Sequence, residues 1–483
     1  MSYLDNLILN TDSYKASHFA QYPPGTEGMF SYIESRGGEW DRTVFFGLQM
    51  ILKEYLSKPV TDAMVNEARD FFAAHGEPFD EAGWRLIVRE HGGLMPVRIR
   101  AVPEGSVVPG RNVLVTIEST DARLFWIVSY LETLLMRVWY PITVATQSWH
   151  VKAVIRGFLD ETSDDAAGQI AFKLHDFGAR GVSSTESAAI GGCAHLVNFM
   201  GTDTLSGILA ARNYYGEPMA AFSIPAAEHS TITAWGRENE VEAYRNMLKQ
   251  FAKPGSLVAV VSDSYDIYNA VENLWGGALR QEVIDSGATV VIRPDSGNPP
   301  EVVLKTAAIL DRRFGSTFNA KGYKVLKHVR IIQGDGVNPR SIREILANLK
   351  FNGYAADNVA FGMGGALLQH LNRDTLKFAM KCSAVKVNGE WREVFKDPVT
   401  DPGKTSKRGR ITTWRNRDSG DYRTARLDRG WHDFEPAGAP AGMWEDALQT
   451  VWENGRLLKD WTFAEVRARA AALAEAAAAD IAG

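Results

Sequence analysis

Five apolar runs in the sequence break off directly into polar residues and glycine. The runs cover residues 170–174, 257–261, 289–292, 329–332 and 358–361, and the segments after them read HDFG, SDS, RPDSG, QGDG and GMGG. Such runs are typical of strands buried on both faces, as in a parallel sheet covered by helices. Because helical patterns lie beyond the polar segments, we predict βα units whose strand ends form the rim of a β/α barrel.

We assign residues 165–385 to this barrel, with helices predicted at 204–214, 238–251, 266–281, 300–314 and 340–349. Residues 1–164 and 386–483 lack this alternation of strand and helix patterns. They are predicted to contain helices from 61 or 62 to 74 and at 80–90, an antiparallel β unit at 97–119 and a hairpin around 388–389. With no low-complexity linker between the parts, both chain ends are predicted to form a second, mixed α+β domain.

Composition excludes several functional classes. A formal net charge of −5 argues against a general nucleic-acid or membrane-surface binder. The most apolar window, residues 124–141, contains Glu132 and Arg137 and is short for a bilayer span. The two cysteines lack the spacing of a zinc site or redox pair, and the first residues show no secretory signal. We therefore expect a cytoplasmic protein.

Charged residues follow two neighbouring runs. Arg293 and Asp295 follow the apolar run at 289–292. Asp335 lies in a Gly-Asp-Gly turn after the next apolar run, at 329–332. An arginine fork can grip phosphate oxygens, and an aspartate can hold ribose hydroxyls or magnesium. Arg293 and Asp295 could instead form an internal ion pair in a turn. Together with Asp335 they indicate a site for a phosphorylated, hydroxyl-rich ligand.

Two glycine-containing turns extend this prediction. FGMGG at 361–365 opens a helix predicted at 366–371, with Arg373 just beyond it. Glycines there expose N–H groups to a phosphate, although close packing of helix on strand also demands glycine. In HDFGARG at 175–181, Arg180 could meet a second phosphate. Phe177 could stack on a planar ring or belong to the core.

An acidic residue and a histidine have both structural and functional interpretations. Asp203 stands where a helix N-cap belongs, which would explain it fully. Alternatively, its carboxylate could accept hydrogen bonds from an N–H₂ group. Most lone histidines are structural, but His229 could be a nucleophile toward a phosphoryl group, with Glu228 orienting its ring. No histidine cluster has metal-ligand spacing.

Taken in order, these motifs resemble the nicotinamide phosphoribosyltransferase family of type II phosphoribosyltransferases. The matching stretches are TDSYK (11–15), YPITVAT (140–146), KLHDFGARGVSS (173–184), HLVNFMGTDT (195–204), SIPAAEHSTITAWG (223–236), VVSDSYDIYNA (260–270), VIRPDSGNP (291–299), QGDGV (333–337), FGMGG (361–365) and FKDPVTDP (395–402). Ten ordered matches along almost the whole chain are far more specific than any single motif.

The resemblance implies an irregular β/α barrel in a homodimer with active sites at the subunit interface. The implied reaction joins nicotinamide to 5-phosphoribosyl 1-pyrophosphate in NAD salvage, with Mg²⁺ and with stimulation by ATP. Nicotinamide would lie between Phe177 and Tyr14 of the partner subunit, its amide held by Asp203. ATP would phosphorylate His229 transiently.

The residues implied to hold the phosphates and the ribose are Arg180, Arg293, Asp295, Gly334, Asp335, Gly364, Gly365 and Arg373. The basic residues implied to line a phosphate channel are Lys396, Lys404, Lys407 and Arg410. By themselves these basic residues would be interpreted as a solvated loop.

Three rival functions stay open. A nicotinate phosphoribosyltransferase would share the barrel, but Asp203 would repel the carboxylate of nicotinate. A barrel isomerase or aldolase of phosphosugars would need a lysine or paired acids as base, which the strand ends lack. The third is a non-catalytic nucleotide-binding regulator. Ala259 and Met363 depart from the family pattern of a serine and a small polar residue, which affects nicotinamide binding rather than the reaction class.

Overall fold

The computed structural model describes residues 5–400, 405–428 and 443–481. The chain divides into two compact units. The first comprises Met1–Thr146, Tyr214–Gly216 and Asn372–Arg469, and the second, here called the barrel unit, comprises Gln147–Asn213, Glu217–Leu371 and Ala470–Gly483.

The borders of these units differ from the predicted ones at 165 and 385. Residues up to 385 do not stay with the barrel, because the strand Phe378–Val387 pairs with Thr26–Ser35 in the first unit. The chain from Ala470 onward belongs to the barrel unit, where the carbonyl of Ala470 accepts a hydrogen bond from the indole of Trp149.

Within the described residues of the barrel unit, six strands form a parallel sheet. They are Leu174–Asp176 (β1), Gly201–Thr202 (β2), Leu257–Val261 (β3), Thr289–Arg293 (β4), Val329–Gln333 (β5) and Val359–Met363 (β6). Their order across the sheet is β2-β1-β6-β5-β4-β3, with every pairing parallel. This arrangement confirms the predicted βα architecture.

An irregular segment joins the two edges of this sheet. Parallel bridges connect Phe222 with Gly201 of β2, and Ala226 with Ala259 of β3. The N–H of Ala259 also donates to the carbonyl of Pro225, at 3.0 Å. Residues 222–226, here called the closing segment, therefore turn the curled sheet into an irregular barrel.

Four of the five predicted strands are confirmed, at 257–261, 289–292, 329–332 and 358–361, with shifts of one or two residues at their ends. The prediction for 170–174 is wrong over most of its length. Ile170–Phe172 is a 3₁₀ turn, and β1 begins only at Leu174. Lys173 lies between this turn and β1, and its ammonium group donates to the carbonyls of Ala356 and Asp357. The chain therefore enters the sheet only after Lys173.

Helices cover the barrel at the predicted places. Those matching predictions are Leu205–Tyr215, Glu240–Phe251, Pro299–Phe314, Pro339–Phe351 and the short Gly365–Leu368. The single helix predicted at 266–281 is instead Ile267–Asn269, a π-helix at Ala270–Ala278, and Arg280–Ser286. The glycine pair 276–277 lies where this helix is irregular, as is common at kinks.

The remaining helical elements of the barrel unit are short, apart from Thr185–His195. The others are Ala166–Gln169, Ile170–Phe172, Ala179–Gly181, His229–Thr233, Arg237–Asn239 and Ala356–Asn358. A small antiparallel pair, Ser316–Phe318 with Lys324–Leu326, lies outside the barrel sheet.

An antiparallel sheet organises the first unit. In spatial order its strands are Glu390–Glu393, Phe378–Val387, Thr26–Ser35, Val113–Ser119, Val97–Ala101, Gln449–Glu453 and Arg456–Leu457. Smaller sheets join Arg42–Val44 with Val107–Pro109, and Ile411–Asn416 with Tyr422–Arg426 and Trp444–Asp446. The pairing of 97–101 with 113–119 and the hairpin at 388–389 confirm the predictions there.

Helices pack around this sheet over one large apolar core. They are Leu7–Leu9, Ser13–Ala20, Leu48–Ile51, Leu52–Leu56, Asp62–His75, Glu81–His91, Ala122–Leu124, Ile127–Tyr130, Glu132–Met136 and Arg373–Thr375. Thr61 and Asp80 cap the two helices predicted from sequence. Trp139–Thr162 and Phe463–Ile481 each continue from the first unit into the second along the chain. In the described part of the chain, every helix is too short or too polar to cross a membrane.

Candidate active site

The carboxyl ends of the barrel strands surround a cavity of about 600 Å³. Ten predicted site residues line it: Phe177, Arg180, Asp203, Glu228, Arg293, Asp295, Gly334, Asp335, Gly364 and Gly365. They come from positions up to 188 residues apart in the sequence, from Phe177 to Gly365. Parallel strands bring them together because all their carboxyl ends meet at one edge of the sheet.

A second cavity, of about 460 Å³ with mainly apolar walls, adjoins these residues inside the barrel unit. Apolar side chains such as Val291 and Ile331 line it, and Ala259 lies in its wall. Phe177, Asp203 and Arg293 line both cavities. Phe177, Asp203 and Arg293 therefore stand where a cavity lined by several charged side chains meets an apolar one, which suits a ligand with a charged end and an aromatic end.

The ring of Phe177 is fixed by its neighbours. Its backbone N–H donates to the carbonyl of Met363 at 3.0 Å, in continuation of the β1–β6 ladder. A Cβ at Gly362 would lie only 1.8 Å from a carbon of the Phe177 ring, so that position must lack a side chain. The ring is half-buried and faces both cavities. This placement favours the stacking interpretation over a role in the core.

The capping interpretation of Asp203 is wrong. The helix begins at Leu205, so Thr204 is the residue that precedes it. The Asp203 carboxylate instead contacts Nε2 of His175 at 3.1 Å and accepts a hydrogen bond from the hydroxyl of Ser223 at 2.6 Å. Burial raises the pKa of Asp203, but these hydrogen bonds outweigh it and leave the pKa below its usual value. The group is an ionised acceptor at neutral pH.

Asp176 links the strand ends that carry Phe177 and Asp203. Its buried carboxylate accepts a hydrogen bond from the N–H of Gly178 at 2.7 Å, and its carbonyl accepts one from the N–H of Asp203 at 3.0 Å. Burial raises the pKa of Asp176. The turn after β1 and the residue after β2 are thus held in one fixed arrangement.

On the polar side of the site, Arg293 and Asp295 form an ion pair at 3.4 Å, as the structural alternative predicted. Both also line the larger cavity. Burial raises the pKa of Asp295; Arg293 opposes this shift, while the charges of Asp263 and Asp335 add to it. Two further carboxylates therefore act on that of Asp295, and their negative charge favours binding of a cation beside it.

His229 has a different partner from the one predicted. Its Nε2 lies 2.9 Å from Oδ1 of Asp263, whose side chain is buried. Glu228 accepts a hydrogen bond from the hydroxyl of Ser230 instead. Glu228 has an extended backbone conformation and directly precedes the helix that begins at His229. Asp263 was not among the predicted site residues, although it lies in the SDS segment after β3.

Several predicted site residues belong to the first unit. Tyr14 is 54% exposed, and the side chain of Arg373 is 60% exposed. Lys407 forms an ion pair with the buried carboxylate of Glu34, and Arg410 pairs with Glu118 at 3.2 Å. Lys396 also belongs to this unit. Lys404 lies outside the described residues.

Among the described residues, no group of three or more His, Cys, Asp and Glu side chains has the arrangement of a metal site. Magnesium, however, usually binds through one or two carboxylates together with substrate phosphates and water. Asp263, Asp295 and Asp335 are carboxylates of that kind, close enough for Asp263 and Asp335 to raise the pKa of Asp295. The donors present fit a cation that binds together with a pyrophosphate.

Sequence comparisons agree with this geometry. Residues 172–434 match the nicotinate phosphoribosyltransferase family, and residues 6–99 match the N-terminal domain of nicotinamide phosphoribosyltransferase. A nicotinamide phosphoribosyltransferase of Xanthomonas campestris pv. campestris is 65% identical over 470 residues, which cover 97% of this chain and 99% of that protein. The chain belongs to the nicotinamide phosphoribosyltransferase family. A nicotinamide phosphoribosyltransferase of Acinetobacter baylyi is 32% identical, with 98% of each chain covered.

Solved structures show the fold of this family. Nicotinate-nucleotide pyrophosphorylase from Pyrococcus furiosus superposes with a TM-score of 0.62, covering 98% of this chain and 97% of that one, at 16% identity. Human nicotinic acid phosphoribosyltransferase gives a TM-score of 0.57, covering 96% and 93%, also at 16% identity. The irregular barrel with a second mixed unit is therefore the type II phosphoribosyltransferase fold.

Proposed function

We propose that the protein transfers the phosphoribosyl group of 5-phosphoribosyl 1-pyrophosphate to nicotinamide, which gives nicotinamide mononucleotide and pyrophosphate for NAD salvage. The observation that carries the proposal is the position of Asp203. An ionised acceptor stands beside the Phe177 ring, where the apolar cavity meets the cavity lined by Arg180 and Arg293.

The reaction needs positioning more than acid–base chemistry. The ring nitrogen N1 of nicotinamide attacks C1 of the ribose while the C1–O bond to pyrophosphate breaks, through an oxocarbenium-like state. N1 carries no proton, so no general base is required. Phe177 orients the ring, Asp295 and Asp335 hold the ribose hydroxyls, and Arg293 neutralises charge on the leaving group.

Phosphate binding would use the glycine turns and arginines around the larger cavity. The backbone at Gly364 and Gly365 would cradle the 5′-phosphate, with Arg180 beside it and the turn at Gly334 open toward the ribose. Magnesium would be held by one or two of Asp263, Asp295 and Asp335 together with pyrophosphate oxygens. Bound there, it would neutralise charge on the leaving group.

Base specificity would follow from the charge of Asp203. A carboxylate accepts a hydrogen bond from the carboxamide N–H₂ of nicotinamide. The carboxylate of nicotinate would bring a like charge to the same place, which costs binding free energy in a partly buried site. The charge of Asp203 therefore favours nicotinamide over nicotinate as the substrate.

ATP stimulation would act through His229. With Nε2 held against Asp263, Nδ1 is the ring nitrogen left to attack the γ-phosphorus of ATP. The new N–P bond forms as the bond from phosphorus to ADP breaks, and Asp263 stabilises the positive charge on the ring. The phosphorylated ring would lie near Asp295, because the charges of His229 and Asp295 interact.

The active unit would be a homodimer. Tyr14 of the partner subunit would stack on the face of nicotinamide opposite Phe177. Arg373 would join Arg180 and Arg293 in holding the phosphates. The exposure of the Tyr14 ring in the single chain supports this role, because an aromatic ring available at the surface can enter a neighbour's site.

The deciding experiment supplies 5-phosphoribosyl 1-pyrophosphate and magnesium with nicotinamide or nicotinate, each with and without ATP. We expect nicotinamide mononucleotide as the main product, formed faster with ATP. Nicotinate mononucleotide alone would contradict the assigned specificity. A failure to turn over either base would contradict the enzymatic proposal.

A further inference from the structure

The two protein hydrogen bonds to the Asp203 carboxylate converge on the same oxygen. Nε2 of His175 lies 3.1 Å from Oδ1, and the hydroxyl of Ser223 lies 2.6 Å from that same Oδ1. Within the described part of the chain, Oδ2 has no corresponding donor. One carboxylate oxygen is therefore anchored by the protein, while the other is left for a ligand in the cavity.

Ser223 belongs to the closing segment, and backbone hydrogen bonds of that segment hold it in place. The N–H of its neighbour Phe222 donates to the carbonyl of Met200 at 2.8 Å, and the carbonyl of Phe222 accepts from the N–H of Thr202 at 3.2 Å. These two hydrogen bonds dock the segment against β2, directly before Asp203. The hydroxyl of Ser223 is thus set by the backbone register of the barrel.

His175 is held equally firmly from the other side. It lies in β1, paired in register with Gly201 of β2. A Cβ at Gly201 would come within 2.8 Å of Nδ1 of the ring, so the absence of a side chain there admits the imidazole. The Phe177 ring lies 5.1 Å from it, centroid to centroid. Donation to Oδ1 requires the proton on Nε2.

We propose that His175 and Ser223 are positioning residues for base selection, which hold Oδ1 of Asp203 so that Oδ2 alone faces the amide of the substrate. The inference rests on the proposed role of Asp203. A carboxylate held by two donors cannot rotate to relieve repulsion, and it resists protonation. Both properties disfavour nicotinate. Without the hydrogen bond from Ser223, the Asp203 carboxyl group could rotate or take up a proton, and nicotinate could then bind.

The test compares Ser223→Ala with Ser223→Thr, which keeps the hydroxyl. For each variant, kcat/KM is measured for nicotinamide and nicotinate, together with the KM for 5-phosphoribosyl 1-pyrophosphate. We expect Ser223→Ala to reduce the preference for nicotinamide at least about tenfold, which is the low end of the scale for one hydrogen bond to a charged group. Ser223→Thr should restore most of the preference. The KM for 5-phosphoribosyl 1-pyrophosphate should change much less than that for nicotinamide.

A double-mutant cycle separates this inference from the proposed function. If Ser223 acts through Asp203, adding Ser223→Ala to Asp203→Ala should cause no further loss of preference. Two outcomes would overturn the positioning role alone. In the first, Ser223→Ala lowers the preference equally in the wild-type protein and in Asp203→Ala. In the second, Asp203→Ala loses the preference for nicotinamide but Ser223→Ala keeps it. If Asp203→Ala itself keeps full preference, the assignment of Asp203 fails, and the positioning role fails with it. His175→Gln provides a second variant, with an amide N–H₂ as donor, and should retain more preference than His175→Ala.

Discussion

At the residue scale, the site depends on a few side chains held by specific partners. His229 is an example, because the carboxylate of Asp263 fixes which ring nitrogen is free. Gly362 is another, since the Phe177 ring occupies the space where its side chain would be. Each of these contacts leads to a measurable prediction.

We expect His229→Ala to lose stimulation by ATP while retaining turnover without ATP. Asp263→Asn should lose part of the stimulation, because the amide cannot stabilise a positively charged ring as a carboxylate does. Acid-labile incorporation of the γ-phosphate into protein measures the phosphohistidine directly. His75→Ala, at an exposed position on a helix of the first unit, is the matched control. Full ATP stimulation in His229→Ala would rule out the phosphohistidine role.

We expect Gly362→Ala to displace the Phe177 ring and to raise the KM for nicotinamide at least about tenfold, since stacking and orientation are both lost. Gly157→Ala is the control, because no atom lies within 4 Å of the added Cβ. That change lies inside a helix and should be neutral or stabilise the protein by about 0.5–1 kcal/mol. An unchanged KM for nicotinamide in Gly362→Ala would mean that Phe177 does not bind the ring.

At the element scale, strand ends and helix starts place the polar residues. The turn with Asp335 leads into Pro339–Phe351, whose first turn is closed by a reciprocal capping box between Asn338 and Ser341. The Ser341 hydroxyl also donates to the carbonyl of Gly336 at 2.9 Å, so the cap ties the start of the helix to the turn that contains Asp335.

Replacing Asn338 by alanine removes the acceptor for the N–H groups of Arg340 and Ser341. We expect a loss of about 1 kcal/mol in the free energy of unfolding, the usual cost of a lost N-cap. Asn213→Ala, on an exposed helix surface, provides the control for the same change of side chain. Thermal unfolding of the two variants in parallel measures the difference, and equal transition temperatures would contradict the prediction.

At the scale of the whole molecule, the predicted site residues fall into two sets. One set surrounds the cavities of the barrel unit, and the other, with Tyr14 and Arg373, belongs to the first unit. The proposed homodimer would unite them by placing Tyr14 of one subunit in the site of the other. Such a shared site has a distinctive consequence for mixed dimers.

We expect Tyr14→Ala and Phe177→Ala to be nearly inactive alone and to recover activity when co-expressed. In a mixed dimer one site carries both defects and the other carries none, so about one quarter of all sites are intact if subunits pair at random. Co-expression of Phe177→Ala with Asp203→Ala is the control, because every site then keeps one defect. Activity no higher than the average of the parents would contradict a shared site.

The sequence alone determined the barrel and most of the cavity lining. Strands such as Leu257–Val261 were predictable because burial on both faces demands an unbroken apolar run. Arg293, Asp295 and Asp335 were predictable because they follow such runs, and strand ends meet at one edge. These features are local, so they can be read from neighbouring residues.

Only the tertiary structure decided which side chains touch. Residues 222–226 close the barrel through single bridges on each side, and a segment with Ser223 and Pro225 has no strand pattern. Asp263, just beyond β3, contacts His229 at the start of a helix, and Asp203 contacts His175 and Ser223 rather than capping its helix. Hydrogen-bond partners distant in sequence depend on strand order and register, and no local pattern specifies these.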